Sequence, residues 1–284
     1  MPKAILPWKL KQFQRSTGTD YNSILGEPGS NAKTNKNQTP TFTHNLSPAD
    51  TSGVINVCPG AGNCKKTCLH WAGNPAYMKG KQAKRIRQTI AFSRDQNSYL
   101  EMLSVAIVRA MIKFEGRQIA VRLNTTSDIK WEELSFNLSP ELSDFILTKF
   151  GRYICAGRYD SILHLFQDFN IRFYDYSKIF RNWQKCRDLN YHLTASFDGH
   201  SNARNHKVCV DAIKSGVNVA AAFNIKKSQP LPERVNLLGF SLPVLDGDLT
   251  DSRFDDIAGC LIGLRFKQPR ATTYSASDVA SFCI

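Results

Sequence analysis

Six short runs between residues 119 and 267 share one asymmetry. IAVRLNTTSD (119–128), IRFYDYSK (171–178), YHLTASFDG (191–199), VNVAAAFN (217–224), LPVLDGD (242–248) and CLIGLRFK (260–267) mostly begin apolar and finish polar. Strand bodies buried on both faces, with polar groups gathered at one end, describe a parallel sheet whose carboxyl ends carry the ligands. The pattern predicts an α/β protein in which Asn124 and Asp128, Asp175 and Lys178, Ser196 and Asp198, Asn224, and Asp246 with Asp248 converge on one mouth. Residues 161–169 and 203–216 read as crossover helices, the second closed by Gly216 immediately before the next strand. The expected architecture is a (β/α) barrel, closed or incomplete. An open doubly wound sheet competes with it, but no G-x-G-x-x-G or P-loop sequence supports that alternative.

Upstream, residues 77–114 carry a helical pattern. A basic stretch, MKGKQAKRIRQT, precedes SYLEMLSVAIVRAMIKF, where Leu100, Leu103, Ile107, Val108, Met111 and Phe114 recur at three to four residues. Residues 1–55 are rich in Asn, Thr, Ser, Pro and Gly with little periodicity, and read as a loop-rich N-terminal arm before one α/β domain over residues 56–284. A chain of 284 residues, 42% hydrophobic, can build one large core. No apolar run approaches the roughly 18 residues that cross a bilayer, and the segment MPKAILPWKLKQFQRS lacks the apolar core of a signal peptide. A soluble, intracellular protein without a membrane partner is expected. With 37 Lys and Arg against 24 Asp and Glu, the net charge of +13 favours polyanions or phosphorylated small molecules.

The cysteines divide into two groups. Cys155, Cys186, Cys209, Cys260 and Cys283 are scattered singly and read as small buried hydrophobes, while Cys58, Cys64 and Cys68 fall within CPGAGNCKKTCLHWAGN. With Pro59, Gly60, Gly62 and Gly73 around them, these three can be aimed at one point, as in a metal-site loop. Their spacing, C-x5-C-x3-C, is neither a pair of C-x-x-C zinc knuckles nor a Cys/His pair of pairs. Three thiolates leave a fourth position for His70, water or a substrate. Radical S-adenosylmethionine enzymes use a three-thiolate iron–sulfur cluster with one open iron, although their usual spacing is C-x3-C-x-x-C. Iron–sulfur and zinc both remain open at this point.

Each strand-end group has two readings. Asp128 serves as a catalytic residue or as an N-cap for a helix starting near Trp131. Arg122, a cation in an apolar strand, must enter a wet cavity or pair with a carboxylate such as Asp246. Lys178 either pairs with Asp175 or binds an anion, with Tyr176 beside it. The cluster Asp246, Asp248 and Asp251 lacks the glycine and closing Glu of a calcium loop, and fits pairing with Arg253 and Arg265 or a ribose hydroxyl. Lys79, Lys81, Lys84, Arg85 and Arg87 form the densest positive run, and Arg85 is near enough to the cysteines in sequence to clamp a substrate phosphate.

The ordered set NAKTNK, LSPADTSGVINVCPGAGNCKKTCLHWAGN, AKRIRQTIAFSRD, VRLNTTSDIKWE, RFYDYSK, YHLTASFDG, VNVAAAF, VLDGDLTDSRFDD and IGLRFK resembles the phage gene product 88 family over about residues 31–267. The resemblance implies a virus-encoded protein working in the cytoplasm of an infected bacterial host, and brings no reaction with it. The combined expectation is a radical-SAM-like enzyme whose 4Fe-4S cluster and S-adenosylmethionine act on a nucleotide or nucleic-acid base. Asp128, Lys178 and Asp198 are its catalytic candidates. Arg85, Arg122, Asn124, Tyr176, Asn224, Asp246, Asp248 and Arg265 are its binding candidates. A zinc-stabilised nucleic-acid-binding protein and a zinc hydrolase are the alternatives.

Overall fold

All six runs form strands in the computed structural model, which describes residues 4–29, 37–72, 77–270 and 273–284. Gly73 and the NAKTNK run lie outside the described residues. The strands are β1 (Leu25–Gly26), β2 (Thr41–His44), β3 (Ile119–Arg122), β4 (Phe136–Leu138), β5 (Gly157–Tyr159), β6 (Ile171–Ser177), β7 (Tyr191–Ser196), β8 (Val219–Phe223), β9 (Arg234–Leu237), β10 (Phe240–Asp246) and β11 (Leu261–Arg265). The helices are α1 (Trp8–Thr17), α2 (Lys79–Arg94), α3 (Gln96–Lys113), α4 (Pro140–Phe150), α5 (Ile162–Leu165), α6 (Trp183–Asp188), α7 (Ala203–Lys214) and α8 (Ala276–Phe282).

Nine strands form one sheet in the order β1-β2-β3-β6-β7-β8-β11-β10-β9, and β4 pairs with β5 apart from it. From β2 to β10 every neighbouring pair is parallel, while β1 and β9 join antiparallel at the two edges. This is a mixed, mostly parallel α/β fold. The expected closed barrel is not seen: among the described residues no pairing joins β9 back to β1. An antiparallel strand at each edge ends the parallel series instead. The first six parallel strands, β2, β3, β6, β7, β8 and β11, are nevertheless laid down in chain order in one direction across the sheet, unlike a doubly wound sheet, where the order reverses.

Register separates the two faces chemically. Ile119, Val121, Phe173, Tyr191, Leu193, Ala195, Val219 and Leu261 share one face and join α3, α6 and α7 in the core. Arg122, Arg172, Tyr174, Tyr176, His192, Thr194 and Ser196 share the other. Against this polar face, Asp251 accepts hydrogen bonds from Arg122 (2.9 Å) and the Tyr174 hydroxyl (3.3 Å), and the Phe254 ring packs on Tyr174 and Arg172.

Helix boundaries follow local chemistry. The 77–114 pattern breaks at Asp95, whose carboxylate caps α3 by accepting from the Ser98 N–H and hydroxyl. α3 is buried almost all round, from Ser98 to Val108. Gly216 takes φ of +71° just after α7, the left-handed turn that a side chain would strain. Residues 1–55 hold more structure than their composition suggests, since they supply α1 and the strand β2 beside β3.

Candidate functional site

The loop after β2 carries the three cysteines and lies across the carboxyl ends of β6 and β7. Asp198, just beyond β7, holds it there: its carboxylate accepts the backbone N–H groups of Asn63 and Cys64 (both 2.9 Å) and the Asn202 amide (2.7 Å). The approach is close enough to demand glycine. A Cβ on Gly62 would strike the Asp198 carboxylate, and one on Gly60 would come within 2.9 Å of the Lys178 carbonyl. Asn63 ties the same loop to the Ser281 carbonyl in α8.

The thiols of Cys58, Cys64 and Cys68 are free and half-buried, and Cys68 is close enough to raise the thiol pKa of both the others. Burial is the main cause of their elevation, to about 11 for Cys58 and about 12 for Cys64, and it raises Cys68 as well. Lys178 and Arg85 flank them with positive charge. Three soft donors, uncrosslinked and neighboured by cations that would offset thiolate charge, fit a thiolate-bound metal centre. Among the described residues no three His, Cys, Asp or Glu side chains gather at metal-ligating range.

His70 bears on the fourth position. Its Nδ1 lies 2.6 Å from Arg85 Nη1, and an Arg can only donate, so the proton of the neutral ring sits on Nε2. Burial and Arg85 push its pKa down to about 4, which keeps the ring neutral. Neither ring nitrogen then offers a lone pair to a metal.

Lys178 turns its ammonium toward the Ser196 hydroxyl (2.5 Å) with the Phe282 ring 6.0 Å away. Burial opposes its charge, but Cys64, Asp198 and Asp128 outweigh burial and raise its pKa. The expected pairing with Asp175 does not form. Asp175 lies on the opposite face of β6 and accepts from the Leu123 and Asn124 N–H groups and the Tyr191 hydroxyl. Lys178 instead borders a cavity of about 390 Å³ between Pro59–Asn63 and residues 201–205 at the start of α7.

Asp128 is a bracket. Its N–H donates to the Val57 carbonyl of the cysteine loop, and its carboxylate accepts from Ser177, the Lys178 N–H and Arg181. It does not cap the turn at Trp131–Glu133, where Lys130 occupies the cap position. Arg181, fully buried, also grips Glu132 through two bonds of 2.8 and 2.9 Å. Neither Arg181 nor Glu132 is foreseeable from a strand-end pattern, because their pairing joins segments about 50 residues apart.

The remaining candidates separate. Asn124 is enclosed by bonds to Ser127, Ile129 and Trp131. Arg122 pairs with Asp251 and Asp175, not Asp246, and lies over the Tyr176 ring at 5.0 Å. Asn224 is exposed beyond β8. Asp246 holds Arg265 through two bonds of 2.9 Å, and Asp248 accepts the Arg265 N–H. Arg253 pairs with Asp256. The Asp246 cluster sits three strands from β7, roughly 15 Å at the usual strand spacing. Four of the single cysteines are buried as expected, but Cys155 is exposed.

Among known proteins, the profile of the gene product 88 family matches residues 8–284. No curated protein and no solved structure matches the chain. Among the described residues no helix is long and apolar enough to cross a membrane.

Proposed function

The chain belongs to the phage gene product 88 family, and from that premise we propose that it is an enzyme with a metal centre on Cys58, Cys64 and Cys68, acting in the cytoplasm of the infected host. The observation that carries this reading is the three-thiol loop, clamped by Asp198 over the strand ends beside Lys178 and its cavity. In parallel α/β proteins that end of the sheet is where chemistry is done. The six strands laid down in order, with helices against one face and a polar opposite face, fit an incomplete barrel whose interior is that polar face.

An iron–sulfur cluster with S-adenosylmethionine, as in radical-SAM-like enzymes, is the preferred centre. Closed structural zinc needs a fourth protein ligand, whereas three thiolates leave one position open and the His70 Nδ1 is held by Arg85. When bound, such a cluster and S-adenosylmethionine supply one-electron, radical chemistry. The chain's residues contribute the setting. Asp198 and the two glycines fix the loop, Lys178 offers its cation to an anionic group in the cavity, and Phe282 covers its flank. A nucleotide or nucleic-acid base fits the cavity's cationic border and the chain's +13 charge.

Anaerobic reconstitution with iron and sulfide tests this directly. The expected product is a brown protein with stoichiometric iron and sulfide, and Cys64→Ala loses both while keeping its far-ultraviolet circular dichroism. A colourless protein holding one zinc per chain, whose removal unfolds it, would establish the zinc-stabilised alternative instead.

A further inference from the structure

Two helices concentrate the positive charge of the molecule. α1 reads WKLKQFQRST and α2 reads KGKQAKRIRQTIAFSR, nine Lys and Arg with no Asp or Glu, in a chain whose net charge is +13. The helices pack together, with the Arg87 side chain 3.7 Å from where a Cβ on Gly18 would sit, at the end of α1. Among the described residues none of the nine forms an ion pair, although Arg109, Lys113 and Arg152 elsewhere do. Arg85 turns inward, to His70 and Asn45, and Lys84 is half-buried.

The cations crowd one another. Lys81, Lys84 and Arg87 follow at three-residue spacing, which makes them neighbours on one flank of α2. The Lys84 ammonium has its pKa lowered by burial and then by Arg85, Arg87 and Lys81. Such a surface is destabilised by its own repulsion and is relieved by a polyanion. An exposed aromatic group stands at the other end of α1 from Gly18: Trp8 is 64% exposed, with the Arg15 guanidinium 5.9 Å from its ring.

We propose that the α1/α2 face binds single-stranded nucleic acid, its cations on the phosphates and Trp8 stacked on a base. Regular phosphates match a row of unpaired Lys and Arg, and an exposed indole on the same helix pair, next to Arg15, suits unpaired bases. Arg85 joins this face to the cysteine loop through His70, so a bound strand would run past the proposed metal centre. That last connection rests on the function proposed above, whereas the binding face does not.

Fluorescence anisotropy with a labelled 20-nucleotide single strand and the matching duplex tests the proposal across a salt series. Lys81→Glu with Arg87→Glu should weaken single-strand binding at least tenfold and flatten the salt slope by roughly 0.7 for each phosphate no longer neutralised. Lys226→Glu with Lys227→Glu, the same charge change on an exposed loop, should cost under twofold. Trp8→Ala should weaken the single strand about fivefold or more and leave the duplex unchanged. If the double Glu variant misfolds, Lys81→Gln with Arg87→Gln gives the same comparison. Equal losses from both charge pairs, no binding at low salt, or stronger binding to anionic phosphatidylglycerol vesicles would each overturn the assignment. Cys64→Ala should bind normally, so a failed metal centre and a failed binding face give different results.

Discussion

Arg181 and Lys178 stand three residues apart beyond the body of β6, and their surroundings are opposite. Arg181 meets two carboxylates, Asp128 and Glu132, and donates to the Ile129 carbonyl and the Ser177 hydroxyl. Lys178 meets a hydroxyl and a phenyl ring, forms no ion pair among the described residues although Cys64, Asp198 and Asp128 are near enough to favour its charge, and borders open space. A buried charge with all its partners inside the protein fixes the fold. A cation whose ammonium has a single hydroxyl partner and a cavity beside it is arranged for something that arrives from outside. This distinction sorts the strand-end groups better than their residue types do, since Asp128, Asn124 and Asp175 are all polar and all internally satisfied.

The largest expected effect tests that sorting. Arg181→Met should leave two buried carboxylates without their cation and cost about 3–5 kcal/mol of stability. Lys178→Met should change stability by no more than about 1 kcal/mol, because no carboxylate loses an ion pair with it. Urea unfolding of the two variants measures the contrast. If Lys178→Met were the more destabilising, Lys178 would belong to the scaffold and the cavity would lose its cation.

Acid sharpens the satisfied side of the comparison. His44, at the end of β2, is buried between the Leu123 carbonyl and the Tyr99 hydroxyl, and burial pushes its pKa from 6.5 down to about 4. The unfolded chain takes up this proton first as the pH falls. Stability from the neutral ring is therefore fully present above about pH 6.5 and is lost as the pH drops toward 4. The full difference is about 3 kcal/mol. His192, also depressed to about 4, adds to the same trend. His44→Gln should be less stable at pH 7 yet show a shallower decline between pH 6.5 and 4.5 in urea titrations. An unchanged slope would mean that His44 titrates alike in both states.

The sequence disclosed the sheet more fully than the site. Long apolar runs with polar ends mark strands because burial and ligand access act on opposite ends of one segment, and each of the six became a strand. β2 escaped because Thr41–His44 alternates Thr with Phe and His over only four residues, too short for a periodicity. The cysteine loop was legible because three thiols in eleven residues are unusual in any setting. Asp198 stood out at a strand end, but its task of clamping the loop's backbone depends on folded geometry. Arg181 lies in FRNWQKCRD, where nothing distinguishes it from a solvated charge. Charge partners are chosen by three-dimensional proximity, which also explains why Arg122 found Asp251 and not Asp246.

The Asp246, Asp248 and Arg265 cluster is the weakest and most discriminating case. It lies at the carboxyl end of the sheet, as the site does, yet its charges are already matched: Arg265 is held by two bonds to Asp246 and lies 3.5 Å from Asp248. By the rule drawn from Arg181 and Lys178 it is scaffold, although a more accessible one, with 28% of the Asp246 side chain exposed. Water screens such a pair, so Asp246→Asn should cost below about 1 kcal/mol. Thermal unfolding should register that small loss, while iron and sulfide content after reconstitution should match the unmodified protein. A variant that kept its stability but lost its metal centre or its substrate would place the cluster inside the working mouth, and internal pairing would then no longer separate scaffold from site.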